Sequence, residues 1–267
     1  MVVFPNAKIN LGLNIINKRS DGYHELETCF YPVPWTDALE IIEANETIVT
    51  TSGIEIPKDG DNIVLKAYQL LADIYDLPPV QIHLHKAIPI GAGLGGGSSD
   101  AAFTLRLIND LFTLGIDDEQ LMTFAVQLGA DCAFFIMNKP SLALGIGEKL
   151  TTINLALAGK FILLVYPNIH ISTKVAFSDM SPRIPSVKIA DTLKIKETEK
   201  WKKNLVNDFE KPLFTKFPIL SDIKKNLYNA GARYASMSGS GSSMYGIFDH
   251  ETTIDFPKEY KIWSGTL

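Results

Sequence analysis

Residues 89–102 read PIGAGLGGGSSDAA, five glycines and two serines between a strand-like segment and a helix-like one. Upstream, Val80, Ile82 and Leu84 alternate with polar neighbours, the period of a strand. Downstream, Ala101, Ala102, Leu105, Ile108, Leu111 and Phe112 share one helix face, with Gly115 placed as a stop. Glycine concentrated at such a junction lets backbone approach something closely. Gly91, Gly93 and Gly96 satisfy the dinucleotide pattern G-x-G-x-x-G. That pattern needs a buried parallel strand before it and a strand after its helix. Here Gln81, His83, His85 and Lys86 are polar, Pro89 ends the strand, and two helical patterns follow in succession. The dinucleotide reading fails on context, and no Lys-Ser or Lys-Thr follows to make a Walker A loop. What remains is a phosphate loop. Backbone N–H groups curl around an anion at a helix N-terminus capped by Ser98 or Ser99.

The composition narrows the setting. The chain has 267 residues, 46% of them hydrophobic, enough to bury a core and to make two domains. A net charge of −5 argues against a broad nucleic-acid surface, while leaving room for a small anionic ligand. Two cysteines, Cys29 and Cys132, make no disulfide framework and suit a reducing cytoplasm. The opening MVVFPNAKIN is not a signal peptide, and the run FILLVY (161–166) is too short to span a bilayer. A cytoplasmic protein with no membrane segment and no obligate protein partner is expected.

Ala7, Ile9, Leu11, Leu13 and Ile15 alternate with Lys8, Asn10, Gly12 and Asn14, which predicts a half-buried strand with a solvated polar face. RSDG (19–22) reads as a turn, with strands at 28–33 and 38–43 and a helix over 62–75. A second helix follows the loop at 117–128, and strands are expected at 133–137 and 141–144. Residues 161–166 form an apolar strand, 181–188 a loop, and helices are expected at 187–193, 201–209 and 219–230. The mixed Lys/Glu stretch 194–203 reads as a solvated helix face. A second glycine–serine segment, SMSGSGSS (236–243), precedes a strand at 244–248. The domain boundary falls near 155, giving domains 1–155 and 156–267. His83 and His85 lack a third ligand and read as surface residues, and Cys132 as core filling.

Together with PNAKINLGLNI (5–15), RSDGYHELET (19–28), LGADCAFFI (128–136), ALGIGEKL (143–150) and SGSGSSMYGIF (238–248), the glycine loop resembles the galactokinase, homoserine kinase, mevalonate kinase and phosphomevalonate kinase (GHMP) superfamily. The string GLGGGSSDAA and the DGYH segment are most similar to its 4-diphosphocytidyl-2-C-methyl-D-erythritol kinase branch. The matches span most of the chain in the right order, loosest over 178–216. The resemblance implies an α+β fold of two domains, the N-terminal one like domain 2 of ribosomal protein S5 and the C-terminal one ferredoxin-like. It implies ATP-dependent phosphorylation of the 2-hydroxyl of a cytidine diphosphate-linked sugar alcohol. The alternatives are a homoserine or mevalonate kinase, which DGYH argues against, and a dinucleotide-dependent oxidoreductase.

Residue by residue, the resemblance places Lys8 and Asp131 at the accepting hydroxyl as the catalytic pair. By itself Lys8 reads as a residue on a solvated face. Asp131, between a helix end and an apolar run, is costly unless partnered. Tyr23 and Phe177 would stack on the cytosine, and His24 would bond its edge. On local sequence alone, the competing reading of Tyr23 is a hairpin aromatic packed on the core. Asn10 and Thr173 would bind the substrate's phosphate or erythritol portion. For ATP, Pro89 and Ile90 stand at the entry, and Gly91, Ala92, Gly93, Leu94, Gly95, Gly96, Gly97, Ser98 and Ser99 wrap the phosphates. Asn62 and Lys86 resemble positions near the adenine. Gly239, Ser240 and Gly241, otherwise a plain tight turn, would approach from the second domain. Mg²⁺ is expected with ATP, its ligands unannounced apart from Ser99 as a candidate. Two departures stand out: Ala133 replaces a proline common in the family, and the short tail 249–267 suggests a trimmed last helix.

Overall fold

The computed structural model describes residues 1–57, 62–178 and 180–267. In chain order the first elements are β1 (Val2–Val3), β2 (Asn6–Lys18), β3 (His24–Thr36), β4 (Ala38–Glu43), β5 (Ile48–Gly53), α1 (Ile63–Tyr75) and β6 (Val80–Lys86). Three helices follow, α2 (Gly96–Leu111), α3 (Asp118–Leu128) and α4 (Cys132–Met137), then β7 (Ser141–Gly145), β8 (Lys149–Thr152) and β9 (Phe161–Tyr166). The remainder comprises α5 (Thr173–Phe177), α6 (Ile189–Leu193), a 3₁₀ helix (Thr198–Lys203), α7 (Glu210–Lys216), α8 (Pro218–Asn229), β10 (Tyr234–Met237), β11 (Met244–Phe248) and β12 (Lys261–Thr266).

These elements form two compact units, each discontinuous in sequence. The first takes Met1–Ala7, Trp35–Ile90 and Gly95–Lys139; the second takes Lys8–Pro34, Gly91–Leu94 and Pro140–Leu267. The first unit holds a sheet of order β1-β4-β6-β5, antiparallel except for the parallel β5–β6 pair. Its helices α1, α3 and α4 pack on α2. Asn62 caps α1, its Oδ1 accepting the Val64 N–H at 3.1 Å, and Val64, Ala67, Tyr68 and Leu71 bury one face. Asp117 and Gln120 close a capping box on α3.

In the second unit the sheet order β2-β3-β7-β8 carries the long N-terminal strands. A separate antiparallel sheet, β10-β11-β9-β12, has α8 packed on it through Leu220, Ile223 and Leu227. Its core gathers Val165, Ala235, Met237, Met244 and Phe248 with those three residues.

Three expectations are corrected. Residues 133–137 are helical in α4, because a short apolar run fits a buried helix as well as a buried strand. Residues 132–136 are all buried there, Asn138 ends the helix at φ +48, and Arg106 Nε donates to the Ile136 carbonyl at 3.1 Å. Residues 201–209 are not one helix. The 3₁₀ helix stops at Lys203, and the next residues pair with β2 through Leu13 N to Val206 O and Asp208 N to Leu13 O, both 2.8 Å. In the stretch 194–203 every Lys and Glu is exposed, as expected of a solvated face, while the 3₁₀ helix buries Thr198 and Trp201, and Trp201 Nε1 donates to the Ile195 carbonyl at 2.8 Å. The polar face of β2 is buried rather than solvated, with Lys8, Asn10 and Asn14 each at most 3% exposed. The tail 249–267 holds no helix, in line with the expected trimming, and ends in β12, an edge strand paired with β9.

Candidate active site

A lysine and two asparagines buried on one strand face require partners, since an unpaired buried polar group is costly. β3 supplies several. Lys8 Nζ donates to Asn10 Oδ1 at 2.6 Å and lies 4.8 Å from the centre of the Phe30 ring. Asn10 Nδ2 donates to Thr28 Oγ1 at 3.0 Å, and the Thr28 hydroxyl donates to the Gly12 carbonyl at 2.5 Å. Asn14 Nδ2 reaches Glu27 Oε2 at 3.2 Å. The amine of Lys8 is thus held in a chain of polar side chains that fixes its rotamer.

The same unit contains the first half of the glycine loop. Gly91 and Gly93 have φ of +64° and +79°, conformations that glycine adopts freely. The Lys8 N–H donates to the Leu94 carbonyl at 2.9 Å, tying the loop to β2. Ser238 joins three segments: its hydroxyl donates to the Gly93 carbonyl at 2.8 Å and accepts the Asn10 N–H at 3.3 Å. The Ser243 N–H donates to the Ala92 carbonyl at 3.1 Å. Gly239 and Gly241 also have positive φ, and Asn207 Nδ2 holds the Met237 and Gly239 carbonyls at 2.9 and 2.8 Å. Lys8, Asn10, Gly91–Leu94 and Gly239–Gly241 are therefore brought together as the sequence suggested. Ser238, Thr28 and Asn207 were not anticipated. The one local signal for Ser238 was its place within the second glycine–serine segment.

The second half of the loop belongs to the first unit. α2 begins at Gly96 with Gly95 as its N-cap at φ +71°, and no side chain caps it. The expected cap by Ser98 or Ser99 is corrected: both serines lie inside the first turn, because the glycines themselves start the helix. Ser99 Oγ is buried and has no hydrogen-bond partner. Gly97 faces open space. Asp131 is half-buried at the N-terminus of α4, where a carboxylate meets the positive end of the helix dipole. Its neighbour Cys132 has its thiol pushed up to about 12 by burial, an inert core residue.

Lys86 is 3% exposed, its ammonium held by Asp37 and by Asp100 Oδ2 at 2.8 Å. Asp37 Oδ1 also accepts the Ala87 and Ile88 N–H groups at 2.6 and 2.9 Å. This buried triad grips the strand end that leads into Pro89 and Ile90, together with the second turn of α2. Burial raises the Asp100 carboxyl to about 8, with Lys86 opposing the shift and Asp37 adding to it. Asn62, besides capping α1, lines a groove of about 540 Å³ with Val49, Gly53, Ile54, Ile56 and Pro57. His83 and His85 bond Thr50 and Ser52, and among the described residues no group of three His, Cys, Asp or Glu could hold a metal.

Also in the second unit, the His24 and Phe177 rings stack at 4.7 Å and 23°. Phe177 is propped edge-on by Phe209 at 4.8 Å. Tyr23 is 61% exposed on the turn, its N–H held by Asp21. Desolvation and Lys18 lower the His24 pKa, which favours a neutral ring. Thr173 opens α5, exposed, next to the cap Ser172.

Two family models match the chain, GHMP kinases N terminal domain over residues 62–139 and GHMP kinases C terminal over 191–256. A 4-diphosphocytidyl-2-C-methyl-D-erythritol kinase of Bacteroides fragilis is 50% identical over 264 residues, covering 96% of each chain. One from Cytophaga hutchinsonii is 50% identical over 261 residues, covering 95% of this chain and 96% of the relative. The chain belongs to the 4-diphosphocytidyl-2-C-methyl-D-erythritol kinase family of the GHMP kinases. A crystal structure of a 4-(cytidine 5'-diphospho)-2C-methyl-D-erythritol kinase shares its fold at a TM-score of 0.80 and 31% identity, over 92% of this chain and 90% of that one. A homoserine kinase from Cytophaga hutchinsonii, at 17% identity, superposes with a TM-score of 0.68 over 98% and 95% of the two chains, a likeness of fold alone. The fold is therefore the two-domain α+β arrangement of the GHMP kinases.

Membership in this family accounts for the polar character of the interior around β2 and the glycine loop. A kinase of this kind uses ATP with Mg²⁺, and Ser99 suits that demand: a buried hydroxyl without a protein partner, on the first turn of the phosphate-loop helix. No helix among the described residues is long and apolar enough to cross a membrane.

Proposed function

We propose that the chain transfers the γ-phosphate of ATP to the 2-hydroxyl of 4-diphosphocytidyl-2-C-methyl-D-erythritol, on the non-mevalonate route to isoprenoid precursors. One observation carries the reading: relatives half identical over nearly the whole chain are kinases of that compound. The residues fit the role. Phosphoryl transfer needs positioning and charge relief more than covalent chemistry. Asp131 accepts the proton of the attacking hydroxyl, while its oxygen bonds to the γ-phosphorus and the bond to the bridging oxygen breaks, leaving ADP. Lys8, locked by Asn10, stabilises the charge that develops on the attacking oxygen.

The loop from Gly91 to Ser99 binds the phosphates, supported by Gly239, Ser240 and Gly241, and Mg²⁺ neutralises their charge with Ser99 as the protein's candidate ligand. Asn62 belongs to the adenine side of the ATP site through its groove; Lys86 acts there through the loop it anchors. Tyr23, His24 and Phe177 bind the cytosine, and Asn10 and Thr173 the phosphate or erythritol portion. Along the sequence the division proposed is 1–155 and 156–267, supported by family models that fall on either side of it, although the compact units interleave across that boundary. A cytoplasmic location is part of the proposal, in keeping with Cys29 and Cys132, both unpaired and buried.

An ADP-release assay tests the reading with the cytidyl substrate, its cytidyl-free sugar alcohol, homoserine and mevalonate as acceptors. Turnover of the cytidyl compound alone is expected. Turnover only of acceptors lacking the cytidyl group would remove the substrate assignment and leave the superfamily.

A further inference from the structure

The segment between β9 and α5 carries a histidine that the proposed chemistry has not used. A Cβ added to Gly91 would come within 2.7 Å of both Nδ1 and Cε1 of His170, so the edge of that imidazole lies directly against the phosphate loop. Gly91 is one of the two loop positions in this unit with positive φ. No side chain of any size fits between ring and loop.

The contact is built from both sides. Ser242 Oγ donates to the Ile169 carbonyl at 2.5 Å, just before the histidine. The adjacent Ser243 N–H donates to the Ala92 carbonyl at 3.1 Å, just after Gly91. Two consecutive residues of the second glycine–serine segment therefore hold the histidine's segment and the phosphate loop together. Ile171 is 3% exposed in the core on the far side, and Ser172 caps the helix that carries Thr173 and Phe177. With its neighbours fixed, His170 itself remains exposed.

We infer that His170 is a phosphate-contacting residue, its imidazole N–H donating to a phosphate oxygen bound at the glycine loop. The inference rests on the kinase reading and extends it to a residue outside the motifs that gave that reading. The chemistry is that of a phosphate monoanion or polyphosphate edge meeting a nitrogen donor. Two sources share it: the triphosphate of ATP, bound by the loop His170 touches, and the diphosphate of the cytidyl substrate, whose binding helix begins three residues later.

Two variants separate hydrogen bonding from packing. His170→Phe keeps a flat ring against Gly91 and removes the donor; His170→Gln restores a donor without the ring. Equilibrium titration with a non-hydrolysable ATP analogue (AMP-PNP) and with CDP reads binding without turnover, and the KM for each substrate is measured beside it. His170→Phe is expected to weaken one of the two ligands by roughly tenfold, with kcat within about threefold, and His170→Gln to recover most of the loss. Loss confined to AMP-PNP and the KM for ATP assigns the contact to the triphosphate; loss confined to CDP and the other KM assigns it to the diphosphate. Unchanged binding of both ligands by His170→Phe, or a loss that His170→Gln fails to recover, overturns the inference. Normal AMP-PNP binding by a wild-type protein that phosphorylates no acceptor would instead sink the kinase reading, and the titrations would still decide the histidine.

Discussion

Asp100 Oδ2 accepts a hydrogen bond from Lys86 Nζ at 2.8 Å, in a pair with almost no contact with water. The ammonium also serves Asp37, so two carboxylates share one cation inside the protein. Two full negative charges there would leave a net buried charge. Burial, the largest cause, raises Asp100 to about 8 against an ordinary 3.8. At neutral pH the folded protein therefore favours the protonated, neutral form of Asp100.

This sets the sign of a pH effect on stability. Between about pH 4 and pH 8 the folded protein holds a proton on Asp100 that the unfolded chain has released. Stability from this group is full below about 4 and is lost as the pH rises towards 8. Asp100→Asn removes the titration and keeps a side chain that can accept from Lys86. Thermal melts from pH 5 to 8 are expected to show the variant gaining on wild type as the pH rises. A difference in Tm that stays constant over that range would return Asp100 to an ordinary carboxylate.

Asp131→Asn keeps size and polarity and loses the basic oxygen pair. Binding of both substrates should survive, while kcat falls by at least roughly 10²-fold, the usual contribution of a positioned general base. Steady-state kinetics with fixed saturating ATP read this directly. A kcat within a factor of a few of wild type would take the proton-accepting role away from Asp131.

Much of this was legible in the sequence, though unevenly. The alternation of β2, the capped helices α1 and α3 and the glycine loop follow from local period and turn chemistry, and the structure places them there. Local period could not say that Lys8 and Asn10 are buried, because the second layer over that strand face comes from distant residues such as Thr28 and Tyr245, whose hydroxyl donates to the Asn10 carbonyl at 2.7 Å. Residues 205–208 lost their expected helix for a similar reason, since pairing with Leu13 outcompetes local preference. Asn207 and the pairing of Lys86 with Asp37 and Asp100 were invisible, because the partners lie far away in the chain.

The stacked His24 and Phe177 rings lead to a prediction about the cytidyl group. A cytosine inserted at this pair exchanges one aromatic contact for another, so Phe177→Ala should raise the KM for the cytidyl substrate by roughly tenfold and leave the KM for ATP alone. Desolvation holds His24 below its ordinary titration range, keeping the ring neutral where an exposed histidine would begin to charge. The KM for the cytidyl substrate should therefore stay flat down to a lower pH than an ordinary imidazole would allow, then climb. Equal increases of both KM values in Phe177→Ala would mean the ring supports the fold rather than the base.

Gly93 offers the sharpest test of how the loop is held. Its φ of +79° is strained for alanine, and a Cβ there would overlap the Ser238 carbonyl oxygen and come within 3.2 Å of the Gly241 carbonyl oxygen. Backbone oxygens cannot swing away as a side chain could, so the loop or the second glycine segment must move. Left-handed strain alone amounts to about 1–3 kcal/mol, and for a chain of this size each kcal/mol lowers Tm by roughly 2–4 °C. Gly93→Ala is expected to lower Tm by roughly 5 °C or more and to weaken AMP-PNP binding well over tenfold. Ser238→Ala grades the effect. It removes the hydroxyl between the buried Asn10 N–H and the part-buried Gly93 carbonyl, at about 1–3 kcal/mol, and creates no clash. It should therefore bind AMP-PNP more weakly than wild type and more tightly than Gly93→Ala. Wild-type melting and nucleotide affinity in Gly93→Ala would show that the loop is free to choose another path, and that its contact with Ser238 does not shape the phosphate site.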